Sequence, residues 1–571
     1  MPRRPIRIRR FAFATAAPAL LLSCATLPSS FAPDLNAKAP QLAGFGRSDI
    51  AITTRVPQAR ALFNQGVLQA YAFNEHEAVR MFKAALAADP ACAMCAWGVA
   101  WQLGPNINND SRDAVPEALK YVGHALKHLD AATPRERVLV QSLALRYAHA
   151  STARETAPLA DATCGEKDEE DRIHPLDAAY ADRMRQLADA HPRDADILSL
   201  YAEAELIATT GWPYWNAAGQ PAGRVGELTQ RLERLLAAHP DHTGLNHYLI
   251  HAADARVPAP RAVAAADRMR TLAPQAPHLV HMPAHTYALV GRYADAARAN
   301  EAALAAEAGQ TRALEAQGFA PTKDWRLHNQ HFHWYASVMQ GREEAALASA
   351  DALAALVDKG TSPFAEYIRS LRLVTLVRLE RWDRVLQEPR PKGDRGIAAL
   401  WYEHARGAAQ ARLGRPDEAQ AGLVRLQAGL PAVRAAHASS SLRHKIFRGM
   451  TEVADASLQA EIALARGQFD LAIRQQQAAV RAAVRLDARE PPLLAAGSRL
   501  VLAQMQGRAG RWAEAEATWR SALAEHPASG WALRGLAQAL QAQGKRAEAD
   551  ATRRELERSW SEASPYLLRA G

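Results

Sequence analysis

Histidine has the most unusual distribution of any residue type in this 571-residue sequence. Ten of the twenty histidines lie between His239 and His333, and eight of these cluster in three short motifs, HYLIH, HLVHMPAH and HNQHFH. Two histidines four residues apart lie on one face of a helix, with Cβ atoms about 6 Å apart. Such a pair is a common arrangement of metal ligands. The spacing therefore indicates coordination of a transition metal by imidazole, provided that the fold brings the three motifs together.

The elements that must position these motifs are helices in a repeated frame. Alanine, leucine, arginine and glutamate dominate the composition, which favours helix over strand. The segment 59–92 has Gly66, Ala78, Phe82, Ala85 and Pro90 at spacings that resemble the tetratricopeptide repeat (TPR), two antiparallel helices in 34 residues. We therefore predict an all-α, TPR-type α-solenoid. Repeats are predicted to start near 59, 93, 195, 243, 277, 327, 366, 400, 453, 496 and 530.

The TPR resemblance implies which side chains face inward. In a TPR array the second, fifth, ninth and twelfth positions of each first helix line the concave groove. Applied to the repeats at 243, 277 and 327, this register places seven histidines on the groove surface: His247, His251, His278, His281, His285, His328 and His331. Glu203 and Asp254 also fall on groove positions and are possible additional ligands. His333 faces the other way and is expected to pack or to lie at the surface.

Three interpretations of the seven histidines remain open from the sequence. They could hold a metal, where copper or zinc suits imidazole-rich ligation and iron is the less favoured choice. They could form a groove for a protein or peptide partner, or they could be structural. Accordingly, we expect a binding or scaffold protein with a metal-binding groove, and the alternative is a metal-dependent enzyme that uses the same cluster. No catalytic residue is identified, so the sequence leaves open whether the protein is an enzyme.

The N-terminus indicates export. The first ten residues contain five arginines, and an apolar run to Ser23 follows that is too short to span a membrane. Leu21-Leu22-Ser23-Cys24 resembles a bacterial lipobox, in which Cys24 would be acylated. We therefore predict a lipoprotein signal peptide over 1–23, a flexible tether over 24–58, and attachment through the lipid to a membrane that faces the periplasm, the outer membrane being the expected one.

The remaining charge and the cysteines add two expectations. The formal net charge is +9, and five of those charges belong to the predicted signal, so nothing points to nucleic acid. Cys92 and Cys95 could form a local disulfide, provide two metal ligands or remain buried thiols. The array is predicted to divide into an N-terminal part, 59–345, and a C-terminal part, 346–571.

Several segments together resemble a family of exported bacterial TPR proteins. They are YAFNEHEAVRMFKAALAADP, CAMCAWG, LGPNIN, HYLIHA, HLVHMPAHTY and HNQHFHWYASVMQGR, between residues 55 and 345. The resemblance implies the fold and export. It implies no reaction, because the family has no established activity to transfer to this chain.

Overall fold

The computed structural model describes residues 31–109, 111–147, 173–209, 212–322, 324–360, 362–391, 396–439, 442–495 and 497–569. Cys24 and the predicted signal peptide lie outside them. The described helices are α1 Pro57–Tyr71, α2 Glu75–Ala88, α3 Ala93–Gln102, α4 Val115–Lys127, α5 Pro134–Tyr147, α6 Pro175–Ala190, α7 Ala195–Ile207, α8 Val225–Ala238, α9 Thr243–Ala252, α10 Val263–Leu272, α11 Pro277–His281, α12 Pro283–Leu289, α13 Tyr293–Ala316, α14 Arg326–Met339, α15 Glu343–Leu356, α16 Pro363–Arg378, α17 Trp382–Gln387, α18 Ile397–Arg412, α19 Pro416–Ala436, α20 Leu442–Ala465, α21 Phe469–Asp487, α22 Gly497–Arg508, α23 Trp512–Glu525, α24 Gly530–Ala542, α25 Arg546–Ser559 and α26 Pro565–Arg569. A short 3-10 helix, Ala259–Ala262, precedes α10.

The helices form consecutive antiparallel pairs, so the predicted all-α, TPR-type solenoid is confirmed. Ten of the eleven predicted repeat starts lie within three residues of the beginning of a helix, from α1 to α24. The start predicted near 453 is wrong, because it lies eleven residues inside α20, a longer first helix than the repeat pattern allows. Helices α5 and α6 add one further pair in the region where the sequence pattern is irregular. In the described residues, no helix is both long and apolar enough to cross a membrane.

The short turn within many pairs contains a residue in the left-handed region, two positions after the first helix ends. In six of these turns the residue is glycine, with φ between 67° and 81°: Gly291, Gly341, Gly414, Gly467, Gly510 and Gly544. Glycine adopts this conformation without a Cβ clash, which explains the repeated Gly-Arg pattern. Two turns use Phe73 (φ 50°) and Glu380 (φ 58°) at the same position instead.

The ends of the array pack back onto its middle. At the C-terminal end, the indole Nε1 of Trp531 donates to the Val338 carbonyl at 2.9 Å, and that of Trp560 donates to the Met339 carbonyl at 2.8 Å. At the N-terminal end, Tyr71 of α1 packs against Tyr248 of α9 with ring centroids 6.3 Å apart. The helices that carry the histidine motifs are therefore enclosed by both ends of the chain.

Residues before α1 are part of this enclosure. Phe45, Ile50 and Ile52 are buried, and the Gly44 carbonyl accepts a hydrogen bond from the backbone N–H of Gln275 at 3.0 Å. The flexible tether predicted over 24–58 is therefore corrected for this stretch, because its apolar side chains cover the helices that follow. The division of the array at 345/346 stays a prediction. The two large apolar cores share α14, where Phe332 belongs to one and Trp334 to the other.

Phe82 shows how close the helices of neighbouring repeats approach. A Cβ placed on Gly98 of α3 would lie 2.5 Å from Cδ1 of Phe82, and one on Gly66 of α1 would lie 2.6 Å from its Cε1. The ring thus fills the space that two glycines leave. This explains why the sequence has small residues at these repeat positions.

We predict that Gly98→Ala lowers the free energy of unfolding by roughly 1–3 kcal/mol, because the added methyl group overpacks the Phe82 ring. The matched control is Gly309→Ala in α13, where the flexible end of Gln275 is the nearest group, at 3.4 Å. The control should gain about 0.5–1 kcal/mol from helix propensity. Urea unfolding of the three proteins measures both changes. Equal stabilities of Gly98→Ala and the parent protein would contradict the packing argument.

Candidate metal centre

Four helices carry the histidine motifs. His247 and His251 are one turn apart on α9, and His278 and His281 lie on α11. Pro283 has no backbone N–H to continue that helix, and the chain restarts as α12 with His285 on it. His328 and His331 lie on α14. The predicted register is therefore reproduced.

The structure brings six of the seven histidines into two triads. In the first triad, Nε2 of His247 lies 3.1 Å from Nε2 of His278 and 3.1 Å from Nε2 of His251. In the second, Nε2 of His281 lies 2.9 Å from Nε2 of His285 and 3.0 Å from Nε2 of His328. Within each triad, all three nitrogen atoms lie within 4.8 Å of one another. The triads are neighbours, since the ring centroids of His278 and His281 are 6.2 Å apart.

The hydrogen bonding of the second triad fixes the tautomer of its central histidine. The amide Nδ2 of Asn300 donates to the Ala296 carbonyl at 2.8 Å, which identifies Oδ1 as the atom that faces His281. Nδ1 of His281 lies 2.7 Å from that oxygen and therefore donates to it. In a neutral imidazole, Nε2 then has one lone pair and no proton. This single lone pair faces two other imidazole nitrogens at hydrogen-bond distance.

A carboxylate pair supports the second histidine of this triad. Nδ1 of His285 lies 2.6 Å from Oε2 of Glu490 and 3.4 Å from Oδ2 of Asp254. Burial, followed by the charge of Asp254, raises the pKa of Glu490 to about 7, although the contact with His285 opposes this shift. A carboxylate on the far nitrogen is the usual partner of a metal-bound histidine, because it fixes the ring orientation and makes Nε2 a better ligand.

Burial keeps the imidazoles neutral. His247, His278, His281 and His328 are at most 5% exposed, and burial, with the neighbouring histidines, holds their pKa values well below the ordinary value. Burial likewise lowers the pKa of His251 to about 3. Neutral imidazole is the form that binds metal.

Aromatic rings complete the enclosure of both triads. The ring of Phe73 lies 4.5 Å from that of His247 and 5.0 Å from that of His278. Trp325 stacks on His278 at 4.4 Å, and Phe332 packs on His285 at 4.5 Å. The groove that we expected around these histidines is therefore filled by the protein's own side chains, with Phe73 coming from the turn after α1 and Trp325 and Phe332 from the start of α14 and from α14 itself.

Three predicted metal-site residues, His331, Glu203 and Asp254, lie outside the two histidine triads. Nε2 of His331 is 2.8 Å from the Tyr367 hydroxyl, which itself donates to the Leu493 carbonyl at 2.9 Å. His331 must therefore donate through Nε2, which leaves no lone pair there for a metal. Glu203 accepts a hydrogen bond from Nε1 of Trp101 at 2.7 Å and belongs to neither triad.

Asp254 lies beside the second triad, and Cys92 and Cys95 are disulfide-bonded. The Asp254 carboxylate contacts Nδ1 of His285 and so does not join the Nε2 cluster. Asp254, His285 and Glu490 form a further group whose ligand atoms are close enough to hold a metal ion, so Asp254 as an additional ligand stays a prediction. The sulfur atoms of Cys92 and Cys95 are bonded to each other, which removes both as metal ligands. As expected, His333 faces away, with Nδ1 2.7 Å from the Ser349 hydroxyl.

Sequence reasoning missed Glu490 and Asn300. Glu490 is 205 residues from His285 and lies in an irregular segment after α21, which no repeat position predicts. Asn300 is buried on α13, in an alanine-rich helical stretch. A single asparagine on the face toward the first helix of its repeat was the one sign in the sequence that it contacts a histidine there.

The likeness of this chain to known proteins is distant. No protein-family model matches the chain, and no curated protein matches it. Similar solved structures include the P58(IPK) TPR domain, at 11% identity and a TM-score of 0.20 over 85% of this chain and 98% of that one. Yeast Tom70 matches at 12% identity and a TM-score of 0.25 over 87% and 91% of the two chains. The Naa15/Naa10 complex bound to HypK-THB matches at 15% identity and a TM-score of 0.20 over 88% and 70%. These low TM-scores carry no argument about the site.

The burial of Glu203 predicts how the stability of the protein depends on pH. Burial raises the pKa of this carboxyl group from 4.5 to about 7. Between these two pH values the native state keeps a proton that the unfolded state has released, so its contribution to stability falls as the pH rises. Glu203→Gln imitates the protonated form. The variant should match the parent protein at pH 4.5 and exceed its free energy of unfolding at pH 8 by up to about 3 kcal/mol.

Denaturant unfolding at the two pH values measures this difference. Glu557→Gln, at an exposed position on α25, controls for the loss of one negative charge. A Glu203→Gln advantage that is the same at both pH values would show that the carboxyl group titrates normally.

Proposed function

We propose that this protein is a metal-binding TPR protein in which the two histidine triads hold two neighbouring transition-metal ions. One observation carries the proposal: in each triad a central Nε2 faces two other Nε2 atoms at 2.9–3.1 Å. The single lone pair of the central Nε2 accepts one good hydrogen bond, so hydrogen bonds alone cannot satisfy both of its neighbouring Nε2 atoms. A metal ion accepts all three lone pairs at once.

The nitrogen separations agree with coordination. With metal–nitrogen distances of about 2.0–2.1 Å, cis ligands are about 2.9 Å apart in an octahedral site and about 3.3 Å apart in a tetrahedral one. The observed 2.9–3.1 Å lies within that range. Three imidazoles suit copper or zinc, and the carboxylates near His285 contact its far nitrogen rather than Nε2, which makes iron the less favoured choice.

The competing arrangement uses protons instead of metal. If Glu490 is protonated and donates to Nδ1 of His285, then Nε2 of His285 donates to His281, and the triad becomes a short chain of hydrogen-bonded imidazoles. That arrangement still leaves His328 and His285 directed at the same lone pair of His281. Metal analysis distinguishes the two arrangements.

We predict that the protein, expressed without a histidine tag, contains about two copper or zinc ions per chain, from the two triads. His328→Gln should reduce this to about one, because it removes a ligand of the second triad only. The matched control is His333→Gln on the same helix, whose ring faces Ser349 and should keep both ions. Elemental analysis by mass spectrometry gives the counts, and circular dichroism establishes that each variant is folded.

Two results would contradict the metal proposal. One is a substoichiometric metal content in the folded parent protein that does not rise after incubation with zinc or copper. The other is a metal content that His328→Gln and His333→Gln lower equally, since this would place the ions elsewhere.

The carboxylate contact predicts a second, graded effect. Glu490→Gln should weaken zinc binding about ten- to a hundredfold, because the carboxylate no longer orients and polarises His285. Asp254→Asn should have a smaller effect, since its oxygen is 3.4 Å from the same nitrogen, beyond a normal hydrogen bond. Competition titrations with a zinc chelator measure both affinities. Equal losses in the two variants would show that net charge, rather than the hydrogen bond, sets the affinity.

A metal-dependent enzyme is the second candidate function. Each triad provides three ligands, and catalytic sites keep a further position open for water or substrate. A narrow cleft lined by Trp325 and Pro277 lies beside His278 and also contains Glu307, a buried carboxyl group whose pKa is raised to about 8. Perturbation of the visible spectrum of the cobalt-substituted protein by azide would favour this candidate over a closed structural site.

The fold itself is that of an interaction scaffold, since helix-pair solenoids present extended surfaces to partners. We further propose a protein partner on the outer surface or in the C-terminal part of the array, because the groove around the histidines is filled. We also propose export and attachment to a membrane through a lipid on Cys24. This last proposal rests on the sequence of residues 1–24 alone.

A further inference from the structure

The C-terminal part of the array contains a cavity that the metal proposal does not use. Helices α16, α18, α20 and α22 line it, and its volume is about 90 Å³. That is room for several water molecules or for the end of a small organic ligand. Its walls include the apolar side chains of Val374, Trp401, Val453 and Leu494. In contrast to the groove around the histidines, the inner face of these helices is open.

Among the described residues, Arg378 at the wall of this cavity forms no salt bridge, although the charge of Glu380 acts to raise its pKa. Its guanidinium lies over the Trp531 ring, 4.2 Å from the centroid, while Nε and Nη2 are buried and make no hydrogen bond to any described residue. Burial lowers the pKa of Arg378 to about 9, which leaves it charged at neutral pH. A buried charged group whose hydrogen bonds are not made is destabilising, so an anion at this position would be favourable.

The other charges around the cavity are already paired. Arg412 forms a bidentate contact with Glu461, at 2.5 and 2.7 Å. Glu380 accepts hydrogen bonds from Gln504 at 3.1 Å and from Arg534 at 3.4 Å. Among these described groups, Glu461 pairs with Arg412, while Arg378 and Arg534 share the charge of Glu380, so one positive charge is in excess.

His404 supplies a second unpartnered polar group. Its side chain is 6% exposed, and neither ring nitrogen has a hydrogen-bond partner among the described residues. Trp401 packs edge-on against it at 4.8 Å. Burial lowers the pKa of His404 to about 4, so at neutral pH the ring offers one donor and one acceptor. A ligand with a polar group at this wall could accept a hydrogen bond from the donor nitrogen of His404 or donate one to its acceptor nitrogen.

We propose that this cavity binds a small organic carboxylate with an apolar body, with the carboxylate on Arg378 and the apolar part against Trp401 and Leu494. A carboxylate supplies one negative charge and two acceptor oxygens, which matches the planar guanidinium. The apolar walls exclude a small, fully hydrated inorganic anion. The proposal does not depend on metal at the histidine triads.

The test is a titration of the purified protein, by calorimetry, with octanoate and 3-phenylpropanoate and with the corresponding uncharged amides. Carboxylates should bind more tightly than amides. Arg378→Gln should weaken carboxylate binding roughly ten- to a hundredfold, the value of a hydrogen bond to a charged group, and should abolish the preference over amides. Arg485→Gln, at an exposed position on α21, should bind as the parent protein does.

The variant is expected to fold, because Arg378→Gln removes a buried charge whose hydrogen bonds are not made and should keep or raise the melting temperature. Each titration is repeated after treatment with EDTA. Loss of binding on chelation would place the carboxylate on a metal ion and overturn the proposal. It would also be overturned if no carboxylate bound at millimolar concentration, or if Arg378→Gln bound carboxylates as tightly as the parent protein.

Discussion

The convergence of imidazole lone pairs inside the protein is the interaction on which the rest of this structure depends. Burying six neutral histidines is costly wherever a ring nitrogen lacks a partner, since an unsatisfied buried polar atom costs about 1–3 kcal/mol. Asn300 and Glu490 satisfy the far nitrogens of His281 and His285, and this fixes the near nitrogens as a convergent set. The second triad is thus better supported than the first, where Nδ1 of His278 has no hydrogen-bond partner in the described part of the chain.

The repeat frame explains why the histidines meet. First helices of successive repeats lie side by side, and residues one turn apart on each helix share its inner face. Two such helices therefore produce a compact set of side chains whenever both have histidine on that face. A TPR array normally leaves this face open to a partner, whereas here α1, the segment before it and the chain near Glu490 cover it. The cover turns a concave surface into an interior, which lowers the histidine pKa values and favours the ligating form.

The sequence predicted the helix pairs and the inward-facing histidines correctly, but it did not predict contacts between residues that are far apart in the chain. The 34-residue period predicted the helix pairs, and the register within each repeat predicted that His247, His281 and His328 face inward. It could not show that His331 is held by Tyr367, because that contact depends on the rotation of α16 against α14. It could not show Glu490 at His285 either, since that contact forms when the array curves back on itself over 205 residues. The same closure explains why the predicted tether is partly buried.

Two of the left-handed turns hold a residue other than glycine, and these two turns lie at the histidine triads and at the C-terminal cavity. Six turns place glycine in the left-handed conformation, while the equivalent positions hold Phe73 and Glu380. A residue with a side chain pays a conformational penalty there of order 1 kcal/mol or more, and such strain persists where the surrounding structure requires the side chain. Phe73 covers the first histidine triad, and Glu380 lines the C-terminal cavity beside Arg378. Glycine would relieve the strain at either turn but would uncover the triad in one case and remove the partner of Arg534 in the other. The two turns that lack glycine therefore lie next to the proposed metal centre and next to the C-terminal cavity.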